Sequence, residues 1–99
     1  MKYIITESQF DKAVFKYLDN QDFIKVNKRE NIFFLNSSDD KLSDAQIVYI
    51  KSDGECYIKY ELMVEISEFF SIDVYEVNKN IGRWIENTLQ RTVLSIYWT

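Results

Sequence analysis

Carboxylates are the one plentiful reactive group in this chain: 16 of its 99 residues are Asp or Glu, with no His, one Cys (Cys56) and two Gly. The triplet Asp39-Asp40-Lys41 holds the Asp-x-Lys half of a metal-dependent nuclease pattern, in which a carboxylate binds Mg²⁺ and the Lys steadies the nucleophile. That chemistry needs the triplet on a strand and an acidic partner upstream. Neither is visible, and the spacing and bidentate Glu of a calcium loop are missing too, so a solvated loop is the simpler reading. Glu61, Glu65 and Glu68 fall together on one side of a helix with no Lys or Arg at i±4 to pair with them. They serve either as an ordinary exposed face, favoured near a helix N-terminus by the macrodipole, or as a docking ridge.

The residues that are absent exclude more. A zinc site, a Ser-His or Cys-His nucleophile, a glycine-rich phosphate cradle and a disulfide framework each require residue types this chain lacks. No cofactor or metal is expected, and the chain reads as a non-enzymatic protein. The charge is also uneven. Asn36 to Glu76 holds ten acids (Asp39, Asp40, Asp44, Asp53, Glu55, Glu61, Glu65, Glu68, Asp73 and Glu76) against three lysines, a balance of −7 within a chain of −4. Nucleic-acid binding wants a basic stripe, and none is present. A basic protein surface complements the acidic middle. No apolar run approaches the roughly 20 residues needed to cross a bilayer, and the opening Met1 to Glu7 has no signal-peptide pattern. The reading is a cytoplasmic protein, not secreted, with Cys56 as a thiol.

The elements that must position these groups follow from periodicity. Tyr3 to Thr6 reads as extended, and Thr6-Glu7-Ser8-Gln9 as a capping box opening a helix over about Glu7 to Leu18, with Phe10, Ala13, Val14, Tyr17 and Leu18 on its apolar face. Phe23 to Val26 and Ile32 to Leu35 form one hairpin. Asn36 to Asp44 is the expected mobile surface loop. Gln46 to Lys51 and Cys56 to Tyr60 form a second hairpin around Asp53-Gly54, taken as a two-residue type I′ turn that sets Tyr49 opposite Ile58. Leu62, Met63, Ile66, Phe69 and Phe70 share one side of a second helix. Asp73-Val74-Tyr75-Glu76 opens a third, whose buried stripe is Val74, Val77, Ile81, Trp84, Ile85 and Leu89. Val93 to Thr99 alternates as a closing strand. Gly82, inside the third helix, marks close approach of another element.

The pattern is α+β: one domain over 1–99, an antiparallel or mixed sheet of about four to six strands with about three helices, in the order β-α-ββ-ββ-α-α-β. Phe15 lies off the first helix's stripe, Tyr57 on the secondary sheet face and Trp98 near the C-terminus. Each is either covered by another element or exposed as a binding anchor.

Ile, Lys, Asn, Phe and Tyr total 42 residues while Gly, Ala, Pro and Arg total 7, the mark of an AT-rich genome. Two stretches, Lys2 to Gln9 and Tyr60-Glu61-Leu62 through Ile66 to Ser71 and Ile81 to Gln90, resemble short uncharacterised proteins of marine phages and marine metagenomic sequence. That resemblance implies a viral origin and brings no activity or site with it. The expected function is a small protein-interaction module acting through Asp39, Asp40, Asp44, Asp53, Glu55, Glu61, Glu65 and Glu68 with any exposed Phe15, Tyr57 or Trp98. A self-associating assembly component is the alternative, and a carboxylate-metal enzyme the third possibility.

Overall fold

Apolar spacings of three and four residues build helices here, and spacings of two build strands. The computed structural model describes residues 7–99, with side chains described from Phe10 onward. Its elements are α1 (Glu7–Asp19), β1 (Ile24–Lys28), β2 (Asn31–Leu35), a 3-10 turn (Leu42–Asp44), β3 (Ile47–Ile50), β4 (Glu55–Ile58), α2 (Tyr60–Phe70), α3 (Val74–Leu89) and β5 (Ser95–Trp98). The extended segment Tyr3 to Thr6 and the Thr6 cap lie outside the described residues. Otherwise the α+β class, the element order and the mixed sheet are as expected.

The strands lie in sequence order, antiparallel from β1 to β4, with β5 parallel to β4. A parallel neighbour needs a crossover, which α2 and α3 supply. All three helices cover one sheet face. Ile32, Phe34, Ile47, Tyr49, Cys56 and Ile58 bury themselves there against Val14, Leu18, Leu62, Met63, Ile66, Val77, Ile81, Trp84 and Ile85. The opposite face carries Val26, Phe33, Val48, Ile50, Tyr57 and Tyr97, all half-buried or exposed.

The second hairpin corrects the expected turn. Lys51 to Gly54 form a four-residue loop closed by the Gly54 N–H donating to the Ile50 carbonyl at 2.9 Å, and of Asp53 and Gly54 only Gly54 has positive φ. Tyr49 therefore sits opposite Cys56 rather than Ile58. The change is two residues, so the side chains keep their faces, because the strand period is two. The longer loop is held from outside: Leu94 N–H donates to the Gly54 carbonyl at 2.8 Å, joining the loop to the start of β5. At the far end of β4, Tyr60 opens α2 instead of ending the strand.

Scarcity of glycine leaves a structural trace. Among the described residues four non-glycine residues have positive φ, and two of them, Ser71 and Gln90, are the C-caps of α2 and α3. Glycine is the usual choice at such ends, since a Cβ there costs roughly 1–2 kcal/mol. Gly82 leaves room for β5: a Cβ there would meet the Cδ1 end of the Ile96 side chain, so that side chain reaches into α3 at this point.

Cys56 on β4 is fully buried, and that burial pushes its thiol up from 9.0 to about 12. Below pH 9 folded and unfolded chains both hold the proton. Between 9 and 12 the unfolded chain releases it and the folded chain does not, so stability falls as pH rises, by at most about 1.4 kcal/mol per pH unit from this group. Denaturant unfolding at pH 8 and pH 10 is expected to show a smaller alkaline loss for Cys56→Ala than for the wild type. Equal losses would mean the thiol ionises as freely folded as unfolded.

Candidate protein-interaction surface

α2 is amphipathic because its apolar residues recur at three and four. Leu62, Met63 and Ile66 point into the core, leaving Glu61, Glu65 and Glu68 on the outer side, all exposed. With Tyr60 and Val64 these acids line one shallow hollow. Tyr60 is anchored at the start of α2 by its N–H donating to the Thr99 carbonyl at 3.1 Å, just past the end of β5. That tie brings Trp98 beside Tyr60, with ring centroids 5.9 Å apart. Tyr75, from the first turn of α3, meets the same indole at 5.5 Å. The three rings are 44%, 39% and 64% exposed for Tyr60, Trp98 and Tyr75.

A second aromatic group closes the far end of the ridge. Phe69 is 68% exposed, against the expectation that it shares the buried side of α2. At 100° per residue Phe69 falls at the edge of the stripe, about 60° from Ile66 in the last turn of α2, and Phe70, nearer the centre of the stripe, takes the more buried place. Phe69 instead lies against Tyr17 of α1 at 5.3 Å and Phe70 at 4.9 Å. The Tyr17 hydroxyl donates to Glu65, bridging α1 to the ridge. Burial first, then this hydrogen bond and the carboxylate's charge, push Tyr17 up to about 12. From Tyr60 to Phe69 the helix rises about 14 Å. The result is a strip with three carboxylates between two aromatic groups. Among the described residues no cation lies within ion-pair distance of Glu61, Glu65 or Glu68.

The remaining acids do not join that ridge as one patch. Asp53 and Glu55 sit at the opposite end of β4, where Glu55 accepts from the Tyr57 hydroxyl at 3.0 Å. That bond raises the Tyr57 pKa, and Tyr57 stacks on Tyr97 at 5.3 Å on the helix-free sheet face. Asp39, Asp40 and Asp44 lie in the β2–β3 connection, which makes local turns: Asp40 accepts from the Ser37 N–H and Ser37 Oγ from the Asp39 N–H, both at 3.2 Å. Phe15 is half-buried against the core and presents no free ring. Among the described residues no three His, Cys, Asp or Glu side chains gather as metal ligands. No helix of the described residues is long and apolar enough to cross a membrane.

Sequence reasoning picked out Glu61, Glu65, Glu68 and Trp98 but missed Tyr60, Phe69 and Tyr75. Tyr75 carried a readable signal, since the second position after the Asp73 cap points away from the stripe that starts at Val74. Asp73 does cap α3, accepting from the Tyr75 N–H at 2.7 Å. Compared with known proteins, the chain matches no protein-family model, no curated protein and no solved structure.

Proposed function

We propose that the protein is a non-enzymatic protein-interaction module, phage-encoded as its sequence resemblance implies, that binds a basic protein surface through the α2 ridge. The observation that carries this reading is the continuity of Tyr75, Trp98 and Tyr60 with Glu61, Glu65 and Glu68. Exposed Trp and Tyr supply large contact area and dominate interface energetics, while unpaired carboxylates steer a basic partner and exclude acidic ones. The test is capture of partners from host lysate by three proteins: wild type, Trp98→Ala, and a triple variant with Gln at Glu61, Glu65 and Glu68. A basic protein retained by the wild type in low salt, and lost from both variants, supports the reading. Capture unchanged in both variants, or no capture at all, sinks it.

A second reading, self-association, draws on the helix-free sheet face. Among its strand positions only Lys28 and Glu55 are charged, and Val26, Phe33, Val48, Ile50, Tyr57 and Tyr97 supply apolar area. Light scattering across a hundredfold range of concentration distinguishes this reading, because a mass fixed at 11.9 kDa removes it.

A further inference from the structure

The two outer strands of the described sheet are built differently. β1 carries Lys25, Asn27 and Lys28, all exposed, the usual means of preventing a further strand from adding. β5, Ser95-Ile96-Tyr97-Trp98, has no charge at all and an exposed Tyr97. Beside it, α3 runs antiparallel to the strand and leaves a cleft along its length. One end is lined by Tyr75, Asn78, Ile96 and Trp98, and the other by Lys79, Gly82, Arg83, Glu86, Val93 and Ile96. Two strand residues advance about 6.6 Å, the rise of about four helix residues. Tyr75 meets Trp98, and Lys79, four residues on, lines the cleft with Ile96, so alternate side chains of an added strand would meet these two rows in turn.

We propose that β5 accepts an extended peptide segment of a protein partner as an added strand, with one side chain, apolar, at Tyr75 and Trp98 and the next cleft-facing one, a carboxylate, at Lys79. Main-chain hydrogen bonds to the edge of β5 that no described strand pairs supply affinity, and the two rows supply selectivity. The charge assignment follows from which groups are already engaged. Glu86 accepts from the Val93 N–H at 2.9 Å and Arg83 is held by Asp11 at 2.8 Å, whereas Lys79 is exposed with no partner among the described residues. A second copy is the poorer occupant. Antiparallel pairing of two β5 strands about Ile96 would bring the two Lys79 side chains toward each other.

The site shares Tyr75 and Trp98 with the aromatic end of the α2 ridge but takes its charge selectivity from Lys79 and not from Glu61, Glu65 and Glu68, so Lys79→Glu tests it without altering the ridge carboxylates. The probes are acetyl-Thr-Phe-Thr-Glu-Thr-amide and the reversed acetyl-Thr-Glu-Thr-Phe-Thr-amide, since the two directions of strand addition exchange the order. Each is titrated into ¹⁵N-labelled full-length protein. One of them is expected to shift the amides of Ser95 to Trp98 and of Lys79, and to bind about tenfold tighter than its Glu-to-Lys counterpart. Lys79→Glu, a change at an exposed position, is expected to reverse that preference. No shift in β5 at millimolar peptide, equal affinity for the Glu and Lys peptides, or shifts confined to α2 would overturn the proposal. So would protection of the outward β5 amides from hydrogen exchange before any peptide is added, which would show the edge already taken.

Discussion

Phe34→Ala is expected to lower the unfolding free energy by about 3–5 kcal/mol, a large share of the roughly 5–15 kcal/mol that holds a domain of this size together. Phe34 is an inward residue of β2 and is 1% exposed. Its ring lies 5.5 Å from that of Trp84 on α3 and 6.2 Å from Phe23, and Phe23 and Trp84 are 6.0 Å apart. These three rings join the sheet to the helical layer. The indole is also fixed from the other side, its Nε1–H donating to Asp19 at the end of α1 at 2.9 Å. With its partners pinned, the site cannot collapse to fill the space of a deleted ring, and the cavity cost adds to the lost burial. Urea unfolding should show the midpoint falling with an unchanged slope, and near-ultraviolet circular dichroism should show the Trp84 signal weakening. Phe69→Ala provides the contrast, since a ring 68% exposed has little burial to lose and is expected to cost under about 1 kcal/mol. Similar losses for the two variants would show that the aromatic trio is not what joins the layers.

The contrast between Phe34 and Phe69 also marks how far the sequence could be read. Where a period was long and clean it placed the fold: the stripe Val77, Ile81, Trp84 and Ile85 is buried as expected, and β5 does follow two helices. Faces were legible even where register was not. The Asp53-Gly54 signal gave the wrong loop length, yet Ile47, Tyr49, Cys56 and Ile58 still face the core, because a two-residue change preserves parity. The candidate surface was only half legible. Carboxylates on one helical side are visible in a sequence, but the aromatic group around Trp98 joins α2, α3 and β5, and no local pattern reports which helix starts a parallel edge strand will lie beside. Phe69 misleads for a different reason: its spacing is that of a buried residue, but it lies at the edge of the stripe in the last turn of α2, where Phe70 takes the more buried place.

Asp11→Ala is the second large effect expected, about 2–3 kcal/mol, and it acts through the joint that holds α3 in place. Asp11 on α1 accepts from Asn80 Nδ2 at 2.6 Å and from Arg83 Nε at 2.9 and 2.8 Å on its two oxygens. Asn80 is the one fully buried polar residue recorded among those described, so removing its acceptor leaves an amide with neither a protein partner nor water. An orphaned buried group of this kind costs roughly 1–3 kcal/mol. The Arg83 contribution is smaller than for a fully buried pair, because the two side chains are 32% and 17% exposed and solvent screens them. Asp11→Asn keeps an acceptor for Asn80 and is expected to cost about half as much. The decisive measurement is a double-mutant cycle with Asn80→Ala. If Asp11 and Asn80 act as a pair, the second substitution costs at least about 1 kcal/mol less in the Asp11→Ala background than in the wild type. Additive losses would show that Asp11 works through Arg83 alone. Either result bears on function, since the helix that Asp11 anchors carries Tyr75 and Lys79. Loosening that anchor should weaken peptide binding at β5 while leaving Glu61, Glu65 and Glu68 on α2 undisturbed.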